Sequence, residues 1–147
     1  MFFIAILFLI IIMLVLNSLI NKKGGSTIFS RQTKTLIGSE REAFIKQWQE
    51  IKKLVKIPGQ SNSNQAVIKA DQLLDSVLAR LGYRGNTGDK LKAARKRFSN
   101  YQKYKTAWSA HKMRNAVVHE PGFDLIKETA KSTLDEFEEV LKDLGAI

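Results

Sequence analysis

Residues 67–82 read Val-Ile-Lys-Ala-Asp-Gln-Leu-Leu-Asp-Ser-Val-Leu-Ala-Arg-Leu-Gly. Val67, Ala70, Leu73, Leu74, Val77, Leu78 and Leu81 recur at steps of three and four, the spacing that lines one face of an α-helix. Gly82 follows the last of them, where a helix commonly ends on a residue that tolerates a left-handed backbone. Upstream, Ser61-Asn62-Ser63-Asn64 supplies four candidate N-caps.

The same period continues in both directions. Ser39 and Glu42 have capping-box spacing, and Phe44, Ile45, Trp48, Ile51 and Val55 follow at helical intervals until Pro58-Gly59. Beyond a glycine-bearing loop, Tyr83 to Gly88, a short basic helix is expected from about Asp89 to Phe98. The next helix starts after Ser99 or Asn100, carries Tyr104, Trp108, His111, Arg114 and His119, and stops before Pro121-Gly122. The last, from about Asp124 to Leu144, shows Ile126, Ala130, Leu134, Phe137, Leu141 and Leu144, and Gly145 closes it. No segment alternates with period two and no repeat is present. The expected fold is therefore all-α, a bundle of four or five helices over residues 39–147.

The N-terminal part has a different character. Phe2 to Ile20 is nineteen residues without a charge, about the length that crosses a hydrocarbon core as a helix. No basic residue precedes the run and no Ala-x-Ala-like site follows it, which argues for an uncleaved anchor over a signal peptide. Residues 1–21 read as a single transmembrane helix and 22–38 as a polar linker. Lys22, Lys23, Arg31 and Lys34 follow the span. The positive-inside bias then puts the N-terminus outside and the C-terminal domain in the cytoplasm, at the inner membrane, with Lys22 and Lys23 against lipid headgroups. There is no cysteine, so thiolate metal sites are excluded, and two histidines among scattered carboxylates point to no metal site and no cofactor.

The net charge of +10 is concentrated. Residues 80–114 carry eleven basic side chains and one acidic, whereas 115–147 carry three basic and eight acidic. Such a stretch reads as a solvated face, a lipid contact or a contact with a polyanion, for which Arg95, Lys96, Arg97 and Lys112 are the candidates.

This basic stretch ends in Ala110-His-Lys-Met-Arg-Asn-Ala-Val-Val-His-Glu-Pro-Gly122. Around the helix, Tyr104, Ala107, Trp108, Arg114, Asn115, Val118 and His119 fall within about 80° of His111. Thr106, Ala110, Met113 and Val117 fall opposite and are the expected core face. The mixed first face suits an interface or a cleft. Arg114 and His119 are about 140° apart, so one ideal helix does not bring them side by side. Sharing a ligand requires the helix to end near His119 or a second subunit to contribute.

Arg114-Asn-Ala-Val-Val-His119 resembles the Arg-x4–6-His signature of HEPN domains. The wider pattern Trp108, His111, Arg114, Asn115, His119 and Glu120, between amphipathic helices, is similar to bacterial HEPN-like helical proteins. The resemblance spans roughly Ser39 to Leu144, with 108–122 its motif-like part. It implies an all-α homodimer, often a metal-independent ribonuclease whose arginines and histidines come from both protomers. Arg114, His119 and Asn115 would then be catalytic, and Trp108, His111 and Glu120 would support them at the interface. HEPN toxins paired with nucleotidyltransferase antitoxins have a tyrosine two residues after the histidine; Pro121 stands there in this chain.

Bland readings stand beside these. His119 suits a helix C-terminus, His111 a structural role, and Arg114 an ion pair with Glu128, Asp135 or Glu136 of the last helix. Trp108 and Tyr104 suit packing. The alternative function is a non-catalytic helical interaction module at the inner membrane face, contacting acidic lipid or a protein partner.

Overall fold

The computed structural model describes residues 34–123 and 125–147; the expected membrane span and most of the expected linker lie outside them. Among the described residues, no helix is long and apolar enough to cross a membrane. Five α-helices and one short 3₁₀ turn make up the regular structure: α1 (Gly38–Leu54), α2 (Gln60–Arg80), α3 (Thr87–Ala93), the turn Arg95–Arg97, α4 (Tyr101–His119) and α5 (Lys127–Asp143). No strand occurs among the described residues.

α2 is the hub, packing against α1, α3, α4 and α5, while α5 also packs against α4. Its predicted apolar face is wholly buried, from Val67 to Leu81. Phe44, Trp48 and Ile51 of α1 and Ala130, Leu134, Phe137 and Leu141 of α5 close over it. Ile126, expected on the core face of the last helix, is instead exposed, and neighbouring Leu125 is buried. The cause is local: α5 starts at Lys127, with Ile126 extended at its N-cap, so the helical period does not reach that residue.

The helix ends explain other shifts from the sequence reading. α1 starts at Gly38 because the Glu40 carboxylate accepts from the Ile37 N–H at 3.2 Å, two residues ahead of the Ser39–Glu42 pair. It stops at Leu54, before Pro58. α2 closes as expected: Gly82 sits at φ 96°, its N–H reaches the Ala79 carbonyl at 3.0 Å and the Tyr83 N–H reaches that of Leu78 at 3.0 Å. α3 begins at Thr87 because the Asn86 side chain accepts from the Asp89 N–H at 2.9 Å. Asn100 caps α4 in the same way through the Lys103 N–H, at 3.0 Å. Glu120, preceding Pro121, turns to extended backbone and ends α4 at His119.

On α4 the core-facing residues are Thr106, Ala107, Ala110 and His111, with Met113 and Val117 partly buried beside them. The core face is thus rotated from the expected Thr106–Val117 stripe toward His111. Opposite α2, the acidic α5 meets α4 through polar contacts: Lys103 pairs with Glu139, and the Ser109 hydroxyl donates to Glu136 at 3.3 Å. Burial raises the Glu136 carboxyl above its usual range, opposed by the Ser109 hydrogen bond and reinforced by the neighbouring Glu139 charge.

Candidate functional site

His111 is one of the few buried polar side chains, and its partner comes from α2. His111 Nδ1 lies 2.8 Å from Asp71 Oδ1, and Asp71 is itself only 2% exposed. On the other side of the ring, His111 Nε2 is 3.3 Å from Asn115 Nδ2. Arg114 Nη1 donates to Asn115 Oδ1 at 3.0 Å, and Arg114 Nε lies 3.5 Å from Asp71 Oδ2.

These distances fix one consistent direction for the protons. His111 donates from Nδ1 to the carboxylate and accepts at Nε2 from the Asn115 amide, whose oxygen accepts from Arg114. The imidazole then has both nitrogens engaged. Arg114 Nε, in contrast, is buried and makes no hydrogen bond. The guanidinium is held at the Asp71 carboxylate and the Asn115 amide, and the side chain is 26% exposed.

This network forms one wall of a groove of about 690 Å³. The opposite wall is the turn at Gly85 and Asn86 and the start of α3, where Asp75 accepts from Thr87 at 2.9 Å and from Lys90 at 2.7 and 2.8 Å. Asp71 and Asp75 lie one turn apart on α2, each matched by one cation, so the floor of the groove is close to charge-neutral. A Cβ on Gly88 would come within 3.4 Å of the Trp108 ring, so that ring closes the end of the loop against α4. Trp108 in turn stands edge-on to His111, centroids 5.9 Å apart.

Gly85 sets the loop's turn. Its φ is 98°, and a Cβ there would lie 2.8 Å from Asp89 Cβ and 3.0 Å from Asp89 Oδ2. An L side chain pays about 1–2 kcal/mol for that backbone region before any clash. Gly85→Ala is expected to destabilise the bundle by about 2 kcal/mol, read as an equal shift in urea and thermal melts.

The sequence-predicted residues divide into three groups. Arg114, Asn115, His111 and Trp108 are brought together at or beside the groove. His119 and Glu120 are exposed at the end of α4, and His119 has no hydrogen bond or ion pair among the described residues. Arg95, Lys96 and Lys112 are exposed and Arg97 is half-buried, all without an acidic partner among the described residues. Arg114 pairs with Asp71 and not with Glu128, Asp135 or Glu136, because the 111–115 turn of α4 faces α2.

Asp71, Asp75, Thr87 and Lys90 escaped the sequence reading. A signal for the first was present: Asp71 interrupts a face otherwise built from Val67, Ala70, Leu74 and Val77, and a carboxylate there must find a buried partner.

No family model matches the chain, and neither a curated protein nor a solved structure matches it.

Proposed function

We propose that this chain is a membrane-anchored, HEPN-like protein that acts on RNA as a homodimer and cleaves it without a metal. The observation that carries the reading is the setting of Arg114. It is gripped by Asp71 and Asn115 at a groove wall, while His119, exposed and unpaired, ends the same helix five residues on. Each chain so holds an oriented anion binder and a free imidazole that do not converge, which is half of a composite site.

The chemistry assigns a role to each group. One His119 takes the proton from a ribose 2′-hydroxyl, and the 2′-oxygen attacks the adjacent phosphorus. The P–O5′ bond breaks, and the His119 of the second protomer, protonated, supplies the proton to the leaving 5′-oxygen. A 2′,3′-cyclic phosphate and a 5′-hydroxyl result. Arg114 neutralises the charge that grows on the phosphoryl oxygens. His111 is a positioning residue, because both its nitrogens are already engaged in the chain from Asp71 to Asn115.

A second reading draws on that same closure. Asp71, His111, Asn115 and Arg114 satisfy one another, as a purely structural network would, and the chain would then be a non-catalytic interaction module.

The test is cleavage of labelled single-stranded RNA by the full-length chain in detergent with excess chelator. Cleavage to cyclic-phosphate ends, reduced at least about 100-fold by Arg114→Ala and by His119→Ala, supports the enzyme. A folded, dimeric wild type that leaves RNA intact sinks it in favour of the module. Mixing wild type with His119→Ala discriminates further, since a site that needs the His119 of both protomers is inactive in the heterodimer as well as in the variant homodimer.

A further inference from the structure

The face of α4 that turns away from the core carries its own pattern. Relative to Tyr101, residues Lys105, Trp108, Lys112 and His119 lie within about 40° around the helix, and the row is about 27 Å long. Tyr101, Lys105, Lys112 and His119 are exposed and Trp108 is half-buried. Tyr101 is 59% exposed, unusually open for an aromatic ring. The Arg95 guanidinium lies 5.3 Å from the Tyr101 ring centroid and 5.8 Å from that of Tyr104, and Lys105 Nζ lies 5.6 Å from Tyr101. The rings step along the helix, Tyr101 to Tyr104 at 5.9 Å and Tyr104 to Trp108 at 6.4 Å.

Most of the positive charge of residues 80–114 is uncompensated among the described residues. Of the basic residues from Arg80 to Arg114, Arg80, Lys90, Lys103 and Arg114 have acidic partners. Arg84, Lys92, Arg95, Lys96, Arg97, Lys105 and Lys112 have none among the described residues. Unpaired cations of one sign repel, and a polyanion relieves the repulsion with release of its counterions.

Three occupants compete. A second copy laid on this row in two-fold fashion would set lysines against lysines, which is unfavourable. An anionic membrane would take the charge, and the proposed anchor would bring one close without any apolar face, but lipid headgroups offer no flat partner for an exposed ring. Between Arg80 and Val117 Tyr101 is the one large hydrophobic residue that is exposed. A single-stranded nucleic acid takes both features, phosphates on the cations and an unstacked base on the ring.

We propose that the Tyr101–His119 row of α4 is a track for single-stranded RNA, with Tyr101 a stacking platform for one base, braced by Arg95, and Lys105 and Lys112 on successive phosphates. This deepens, and rests on, the reading of RNA as the substrate, and it directs the strand along α4 toward His119.

Binding is measured apart from cleavage. The full-length chain carrying His119→Ala, which in the proposed mechanism cannot cut, is titrated against a labelled single-stranded RNA of about 12 nucleotides, with anisotropy as the readout. Adding Tyr101→Ala is expected to weaken binding about 5- to 100-fold with an unchanged salt slope, and Tyr101→Phe to restore most of it. Adding Lys105→Ala or Lys112→Ala is expected to lower the salt slope by about 0.7 each. An equally tight Tyr101→Ala complex, or no binding by the folded chain, overturns the track. So does a Tyr101-dependent affinity for anionic vesicles equal to that for RNA, which would make the row a membrane face. RNA binding with these dependences but no cleavage by the wild type would retain the track and remove the enzyme. Cleavage indifferent to Tyr101 would do the reverse.

Discussion

Asp71→Ala is expected to lower the stability of the bundle by about 3 kcal/mol, at the lower end of what removing one partner of a buried ion pair costs. Asp71 is almost fully buried and accepts from His111 while facing Arg114. Its removal strips the acceptor from a buried imidazole N–H and the counter-charge from a guanidinium that keeps some access to solvent. That access is why the cost stays near 3 and not 5. A change of this size in a domain of about a hundred residues shifts Tm by roughly 12 °C or more, read by circular dichroism. Asp71→Asn keeps an acceptor for His111 but loses the charge and turns an amide N–H toward Arg114 Nε, so it is expected to cost less than Asp71→Ala without being neutral. The double variant with His111→Ala separates a network from two independent sites. A shared network gives a coupling energy of about 1–3 kcal/mol; simple additivity would refute the chain of hydrogen bonds described above.

That chain also marks where sequence reading gives out. The helix faces were legible because burial follows a local period: every apolar residue named from Val67 to Leu81 is buried. The ends were legible where a residue acts by its own backbone, as Gly82 and Pro121 do, and shifted where a side chain had a choice of partners. Glu40 rather than Glu42 ties down the start of α1 for that reason. The site was legible only along α4. Arg114, Asn115 and His111 were named from one helix, but Asp71 lies forty residues upstream of His111 and reaches it only through packing. Spacing along α4 could not say that the turn at His111 faces α2, and with it which histidine is buried. The groove's second wall was hidden for the same reason, since Lys90 finds Asp75 fifteen residues away, through the turn that Gly85 makes.

Phe137→Ala is expected to cost more than any change in the groove, about 3–5 kcal/mol. Phe137 heads the fully buried side chains by size and sits mid-way along α5, the helix that packs on both α2 and α4. Truncation removes a fully buried aromatic ring from the hydrophobic core, and close-packed interiors collapse only partly into the space left. A small domain has roughly 5–15 kcal/mol in total, so the variant is expected to melt at least about 12 °C lower and to unfold partly at physiological temperature. Phe137→Leu retains most of the apolar volume and is expected to lose less than about half as much. An exposed-residue cost, below about 0.5 kcal/mol, would show that α5 is not clamped to α2 and α4 as described. The Asp71–His111 contact depends on α2 and α4 being held together, so the same variant reaches the groove indirectly. Below its lowered melt it is expected to keep RNA affinity per folded molecule, whereas Asp71→Ala, which frees Arg114 from its carboxylate, is expected to change that affinity even when folded. Equal effects of the two variants on affinity at matched stability would mean that Arg114 is not positioned by Asp71.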